Sequence, residues 1–128
     1  MKKLSFLFFS IFIVLIGCSG EVQNTGEVHF IEVEIQTPEK IEPNEEIEIS
    51  AFVTQGEEEV NDANEVKFEI WKNGQEDHEM VEGNHKGEGI YSITKTFDKD
   101  GIYSVVAHVT ARDMHSMPKK EFVVGDPS

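Results

Sequence analysis

One cysteine is all this 128-residue chain contains, which excludes an internal disulfide and leaves apolar packing alone to hold any fold. Positive charge is also scarce, with 11 Lys and Arg against 25 Asp and Glu. That balance excludes the basic patches that nucleic-acid binding needs. No apolar run reaches the ~20 helical residues required to cross ~30 Å of hydrocarbon. Enzyme signatures are missing too: there is no G-x-S-x-G, no H-E-x-x-H and no phosphate-cradling glycine loop. Ser116 stands directly beside His115, and adjacent residues cannot align a nucleophile with its base. These gaps predict a protein that is not an enzyme and has no nucleic-acid partner.

What is present begins at the N-terminus. Lys2 and Lys3 precede a stretch from Leu4 to Ile16 that is apolar except for Ser5 and Ser10. A positive start and a short apolar core ending in a small residue predict a secretory signal over residues 1–17, later removed. The ending Leu15-Ile16-Gly17-Cys18 resembles the bacterial lipobox. In that motif the cysteine sulfur receives diacylglycerol before cleavage. Cys18 is therefore the expected lipidation site of a palmitate-bearing lipoprotein held on the extracytoplasmic face of the cell membrane. Two or three acyl chains, at ~0.8 kcal/mol per buried CH₂, anchor a protein firmly without spanning the bilayer. Removing Lys2 and Lys3 with the signal leaves 9 basic residues against 25 acidic ones, a net charge of −16. Such a domain is repelled by anionic lipid, so the anchor must hold it. Residues 18–27 carry Gly20 and Gly26, lack an apolar period, and read as a flexible tether.

Residues 28–125 form the expected domain, followed by a short tail at 126–128. Period-two alternation dominates there. Ile31, Val33 and Ile35 lie on one face of a first strand, and Ile47, Ile49, Ala51 and Val53 on one face of a second. Val66, Phe68 and Ile70 point inward from a third, leaving Lys67, Glu69 and Trp71 outward. Asn73-Gly74 suggests a type I′ hairpin pairing Val66 with Val81 and placing His78 and Met80 outward, opposite Glu69 and Lys67. A strand near Gly89–Phe97 follows, its inward face interrupted by Lys95. Tyr103, Val105, Ala107, Val109 and Ala111 alternate inward on the next, and Phe122 and Val124 on the last. About seven short strands without helices predict an all-β, immunoglobulin-like β-sandwich. Asp98-Lys-Asp-Gly-Ile-Tyr103-Ser-Val resembles a tyrosine corner. The tight hairpin favours one sheet containing the last two strands, the third and its hairpin partner.

Histidine and methionine are distributed unevenly over this scaffold. His78 and Met80 share a strand face ~6.6–6.8 Å apart. His85 lies in the loop before the Gly89–Phe97 strand, and His108 on the outward side of the Tyr103–Ala111 strand. Met114, His115 and Met117 cluster in the following loop. Imidazoles with thioethers suit copper, whereas zinc takes thioethers poorly and no cysteine is free. Competing readings remain for each. His78 and His85 also suit a solvated surface, and Met114 and Met117 suit a cap on the core. His29 has inward parity and reads as structural. Trp71 is outward, either as a surface patch or resting on a neighbouring side chain. The acidic loop 56–64 has no assignable role beyond solubility.

Gly89-Ile-Tyr91, Phe97-x₃-Gly101-Ile-Tyr103 and His108-Val-Thr-Ala-Arg112-x-Met114-His115-x-Met117-Pro118 resemble the YtkA-like domain family over about Val33–Val124. That family is distantly similar to the FixH proteins associated with assembly of haem–copper oxidases. The resemblance implies a small extracytoplasmic immunoglobulin-like sandwich, often lipid-anchored. Two readings follow. The first is a membrane-tethered module that holds copper, or passes it to an extracytoplasmic cuproprotein such as an oxidase subunit. Its ligands would be His108, Met114, His115 and Met117, with His78, Met80 and His85 as additions. The alternative is a metal-free interaction module of the cell envelope, using the surface around Trp71 and the loop after Ala111.

Overall fold

The structure, a computed structural model, describes residues 29–127. The expected signal segment, Cys18 and the expected tether lie outside the described residues. Among the described residues, ten strands form two five-stranded sheets. In the first, β1 (Ile31–Gln36) pairs with β2 (Glu46–Gln55), β2 with β7 (Ile90–Thr96), and β7 with β6 (Asn84–Gly87). The two-residue β3 (Glu58–Glu59) folds back onto the end of β2. In the second, β10 (Lys119–Val124) pairs with β8 (Gly101–Ala111), β8 with β4 (Glu65–Lys72), and β4 with β5 (Glu79–Glu82). The short β9 (Met114–Ser116) turns back along β8. Every ladder is antiparallel, and a single parallel bridge from Ile41 to Val124 links the chain after β1 to the other sheet.

The alternating apolar residues supply the core. Ile49, Val53, Phe68, Val105 and Val109 are fully buried between the sheets, as the period of two requires for a strand with one solvated face. Among the described residues the core runs from Ile31 to Val124. At the end of the sandwich where β8 begins, Phe97, Tyr103 and Phe122 pack ring against ring at 4.7–5.8 Å. The Tyr103 hydroxyl donates to the carbonyl of Lys99 at 2.9 Å, the tyrosine-corner contact. Burial, with Asp98 and Asp100 nearby, raises its pKa above the ordinary phenol value. Lys95 keeps its place in the β7 alternation by carrying its charge outward. Its ammonium reaches Glu79 at 2.6 Å and stands 5.5 Å above the Phe97 ring.

Three features differ from the sequence expectation. First, Phe68 faces Val81 and Glu69 faces Met80, a slip of two residues from the Val66–Val81 pairing. The cause lies in Asn73, which lacks the positive φ of a type I′ turn; only Gly74, at 92°, has it. Asn73 is instead tied sideways. Its backbone N–H donates to Ile102, its amide donates to Glu121, and its side-chain oxygen accepts from Ser104. Pairing resumes only at Glu79. A two-residue slip preserves parity, so Met80 still faces outward.

Second, the Met114–Met117 segment is largely a hairpin. Arg112 and Asp113 both have positive φ, 53° and 64°, the signature of a type I′ turn. Ala111 then faces Met114 and Thr110 faces His115. Left-handed backbone at a non-glycine residue costs on the order of 1 kcal/mol or more. The Arg112 guanidinium offsets that by pairing with Glu58 and Asp62 and donating to Gln55.

Third, His85 lies on an unanticipated strand, β6. The acidic loop also has structural work beyond solubility. Val60 is fully buried, Tyr91 donates to its carbonyl, and the Asn61 side chain accepts from the backbone of Gly89.

Candidate functional site

Alternation places Lys67, Glu69 and Trp71 of β4 on the outer face of the second sheet, beside His108, Val106 and Ser104 of β8. Register then sets their neighbours. Glu69 stands between Val106 and Met80, and Lys67 stands across from His108. The β8–β9 and β8–β10 ladders share one register. Met117, between them, therefore falls at the rung of His108.

Glu69 is the centre of this face. One carboxylate oxygen lies 2.7 Å from His108 Nε2 and the other 2.5 Å from His78 Nδ1. The hydrogen bonds from His78 and then His108 hold the Glu69 pKa below the ordinary carboxylate value, against the opposing effect of burial. A carboxylate only accepts, so both of those ring nitrogens carry their protons, as assigned from the hydrogen-bond network. In the neutral rings, His78 Nε2 and His108 Nδ1 keep their lone pairs. The His78 ring is further fixed by stacking on Trp71, with centroids 4.0 Å apart and planes within 5°. Lys119 completes that stack from 5.5 Å.

The other sequence candidates separate clearly. His115 is on the same sheet face, two rungs along from His108, where Thr110 Oγ1 meets its Nδ1 at 2.8 Å. Met117 and Met80 are both more than half exposed. Met114 points inward and packs against the core. His85 is in the opposite sheet, stacked on Tyr91 and bonded to Asn61. His29 precedes β1, is exposed, and lays its ring over Gly56. His78, His108, Met80, Met117 and His115 are thus on one face, while Met114 and His85 are not. Among the described residues, no three His, Cys, Asp or Glu side chains are arranged to hold an ion. A metal on this face would have to draw on the thioethers. Glu69 itself was visible in the sequence only as an outward neighbour of His78. Its tie to His108 emerges from the β4–β8 register, which no local pattern supplies.

Two antiparallel sheets, a tyrosine corner and a sheet built from β10, β8, β4 and β5 define an immunoglobulin-like β-sandwich. The chain belongs to the YtkA-like family, whose model matches residues 27–108. That match ends at His108, so Met114, His115 and Met117 lie beyond it. No curated protein matches the chain. Among solved structures it is similar to a superoxide reductase (neelaredoxin) from Ignicoccus hospitalis. That match has 16% identity, covers 82% of this chain and 88% of the other, and has a TM-score of 0.50. A putative superoxide reductase from Thermotoga maritima is similar at 17% identity, over 79% of this chain and 89% of the other, with a TM-score of 0.51. These likenesses concern the fold.

Proposed function

We propose that this domain is a copper-holding module, tethered to the outer face of the cell membrane through lipid on Cys18, that keeps or passes copper to an extracytoplasmic cuproprotein. The observation that carries the reading is the convergence of His78 and His108 on Glu69, on a face that also bears Met80 and Met117. Carboxylates that hold one nitrogen of a metal-binding histidine orient the other toward the ion and raise its basicity. Glu69 takes that orienting role for both rings, with His78 and His108 as nitrogen donors. Met117, across from His108, and Met80, across from Glu69 on its other side, offer thioethers, which favour Cu(I), and His115 adds an imidazole on the same face. The module has no catalytic step; its work is selective holding. The family's distant similarity to FixH proteins agrees with delivery to an oxidase subunit.

Titrating the segment from Ser19 to Ser128 with Cu(I) against a competing chelator tests the site. One copper per chain is expected, lost in His78→Ala/His108→Ala with folding retained. Equal affinity in that variant would remove the site. For the anchor, cells fed labelled palmitate should label the wild-type chain and leave Cys18→Ser unlabelled.

One observation favours the metal-free alternative. Ile102 and Val123 are exposed on the same sheet face as Met80 and Met117, an apolar surface suited to an envelope protein. A partner recovered equally with copper-loaded and chelated protein would support it.

A further inference from the structure

At the end of the sandwich opposite the Arg112–Asp113 turn, the β4–β5 connection and the β7–β8 turn line an open cleft of about 360 Å³. That is within the usual range for small-molecule sites, ~300–1,000 Å³. Its lining combines aromatic and charged side chains. Phe97 and Tyr103, both nearly buried, provide apolar surface. The Trp71–His78 stack provides a flat wall.

The charges at the rim divide into paired and unpaired sets. Lys95 and Glu79 neutralise each other at 2.6 Å. Lys72, Lys99, Asp77 and Asp98 also line the cleft, and among the described residues none of the four has an ion-pair partner. Unpaired lysines are notable in a chain with more than twice as many acidic as basic residues. Lys72 is held along its stem, Lys99 at its backbone. The Lys72 stem lies across Gly101, where a Cβ would come within 2.5 Å of its Cε. Lys99 is fixed at its carbonyl by the Tyr103 hydroxyl. Two lysines and two aspartates lining one cleft together with aromatic side chains match a ligand carrying both charges on an apolar body.

We infer that this cleft binds a small zwitterion of the free α-amino acid class. Its carboxylate meets Lys72 and Lys99, its ammonium faces Asp77 and Asp98, and its apolar side chain lies against the aromatic lining and the Trp71–His78 wall. This site shares His78 with the copper face but requires no metal.

Trp71 is the chain's only tryptophan, so its fluorescence reports on the wall directly. The test uses Ser19–Ser128 in excess chelator with three probes that share one body: L-phenylalanine, 3-phenylpropionate and phenethylamine. A saturable change with L-phenylalanine is expected, at least tenfold weaker with either singly charged probe. Amide shifts on binding should concentrate in residues 72–79 and 95–103. Lys72→Met/Lys99→Met should weaken L-phenylalanine at least tenfold. The inference is overturned if no saturable change appears in either readout up to the solubility of phenylalanine, or if the three probes bind alike. It is equally overturned if a folded double variant binds like wild type. Because the three-probe comparison uses the wild-type protein, it decides the matter even if the variant does not fold.

Discussion

Single residues carry the candidate metal face, and Glu69 is the one on which the rest depend. It ties β4 to β8 through His108 and to the approach of β5 through His78. With its side chain only about a quarter exposed, two charge-assisted bonds there contribute on the order of 1–2 kcal/mol. Glu69→Ala should lower the urea midpoint accordingly at neutral pH. The pH dependence follows from its lowered pKa. A carboxylate whose folded pKa is depressed stabilises the fold above its unfolded value, ~4.3, and loses that contribution as pH falls through the folded value. The gap between wild type and Glu69→Ala should therefore close in acid below about pH 4; a gap that widens there would contradict the assignment. The sequence could place His78, Met80 and His108 outward, because parity is local. It could not separate His85 from them. That depends on Gly83, where the chain leaves β5 for the opposite sheet. A Cβ at Gly83 would come within 3.0 Å of the Phe68 ring.

At the scale of elements, strands with long apolar alternation were legible, and those made by turn geometry were not. β2, β4, β8 and β10 follow their apolar period. β9 exists because Arg112 and Asp113 adopt left-handed backbone. Asp tolerates that conformation, but nothing in an arginine announces it. Ion pairs to Glu58 and Asp62 supply the missing preference, and they come from residues 54 and 50 positions away. Two opposed effects make this testable. Arg112→Ala loses the pairs and keeps the strain, while Arg112→Gly loses the pairs and relieves it. Urea unfolding should find Arg112→Ala less stable than Arg112→Gly by about 1 kcal/mol. The reverse order would mean that the turn stores little strain. The β4–β5 register failed for a related reason: Asn73-Gly74 looked like a free turn, yet Asn73 is bound to Ser104 and Glu121.

For the whole molecule, charge and position matter together. A net charge of −14 over the full chain destabilises a compact domain by self-repulsion, which salt screens over ~8 Å at physiological ionic strength. The melting temperature should rise as sodium chloride goes from low to physiological concentration; a fall would mean that local ion pairs such as Arg112–Glu58 outweigh the global field. Such a surface also gathers cations loosely, so cation binding alone is weak evidence for a site. What distinguishes the proposed copper face is its donor set, and X-ray absorption of the Cu(I)-loaded Ser19–Ser128 segment reads that directly. This segment contains no cysteine, so any sulfur bound to copper must be a methionine thioether. The expected spectrum shows nitrogen and sulfur neighbours together, with the sulfur lost in Met80→Leu/Met117→Leu and the nitrogen reduced in His78→Ala/His108→Ala. A copper environment of oxygen alone, or one unchanged by both variants, would contradict the account.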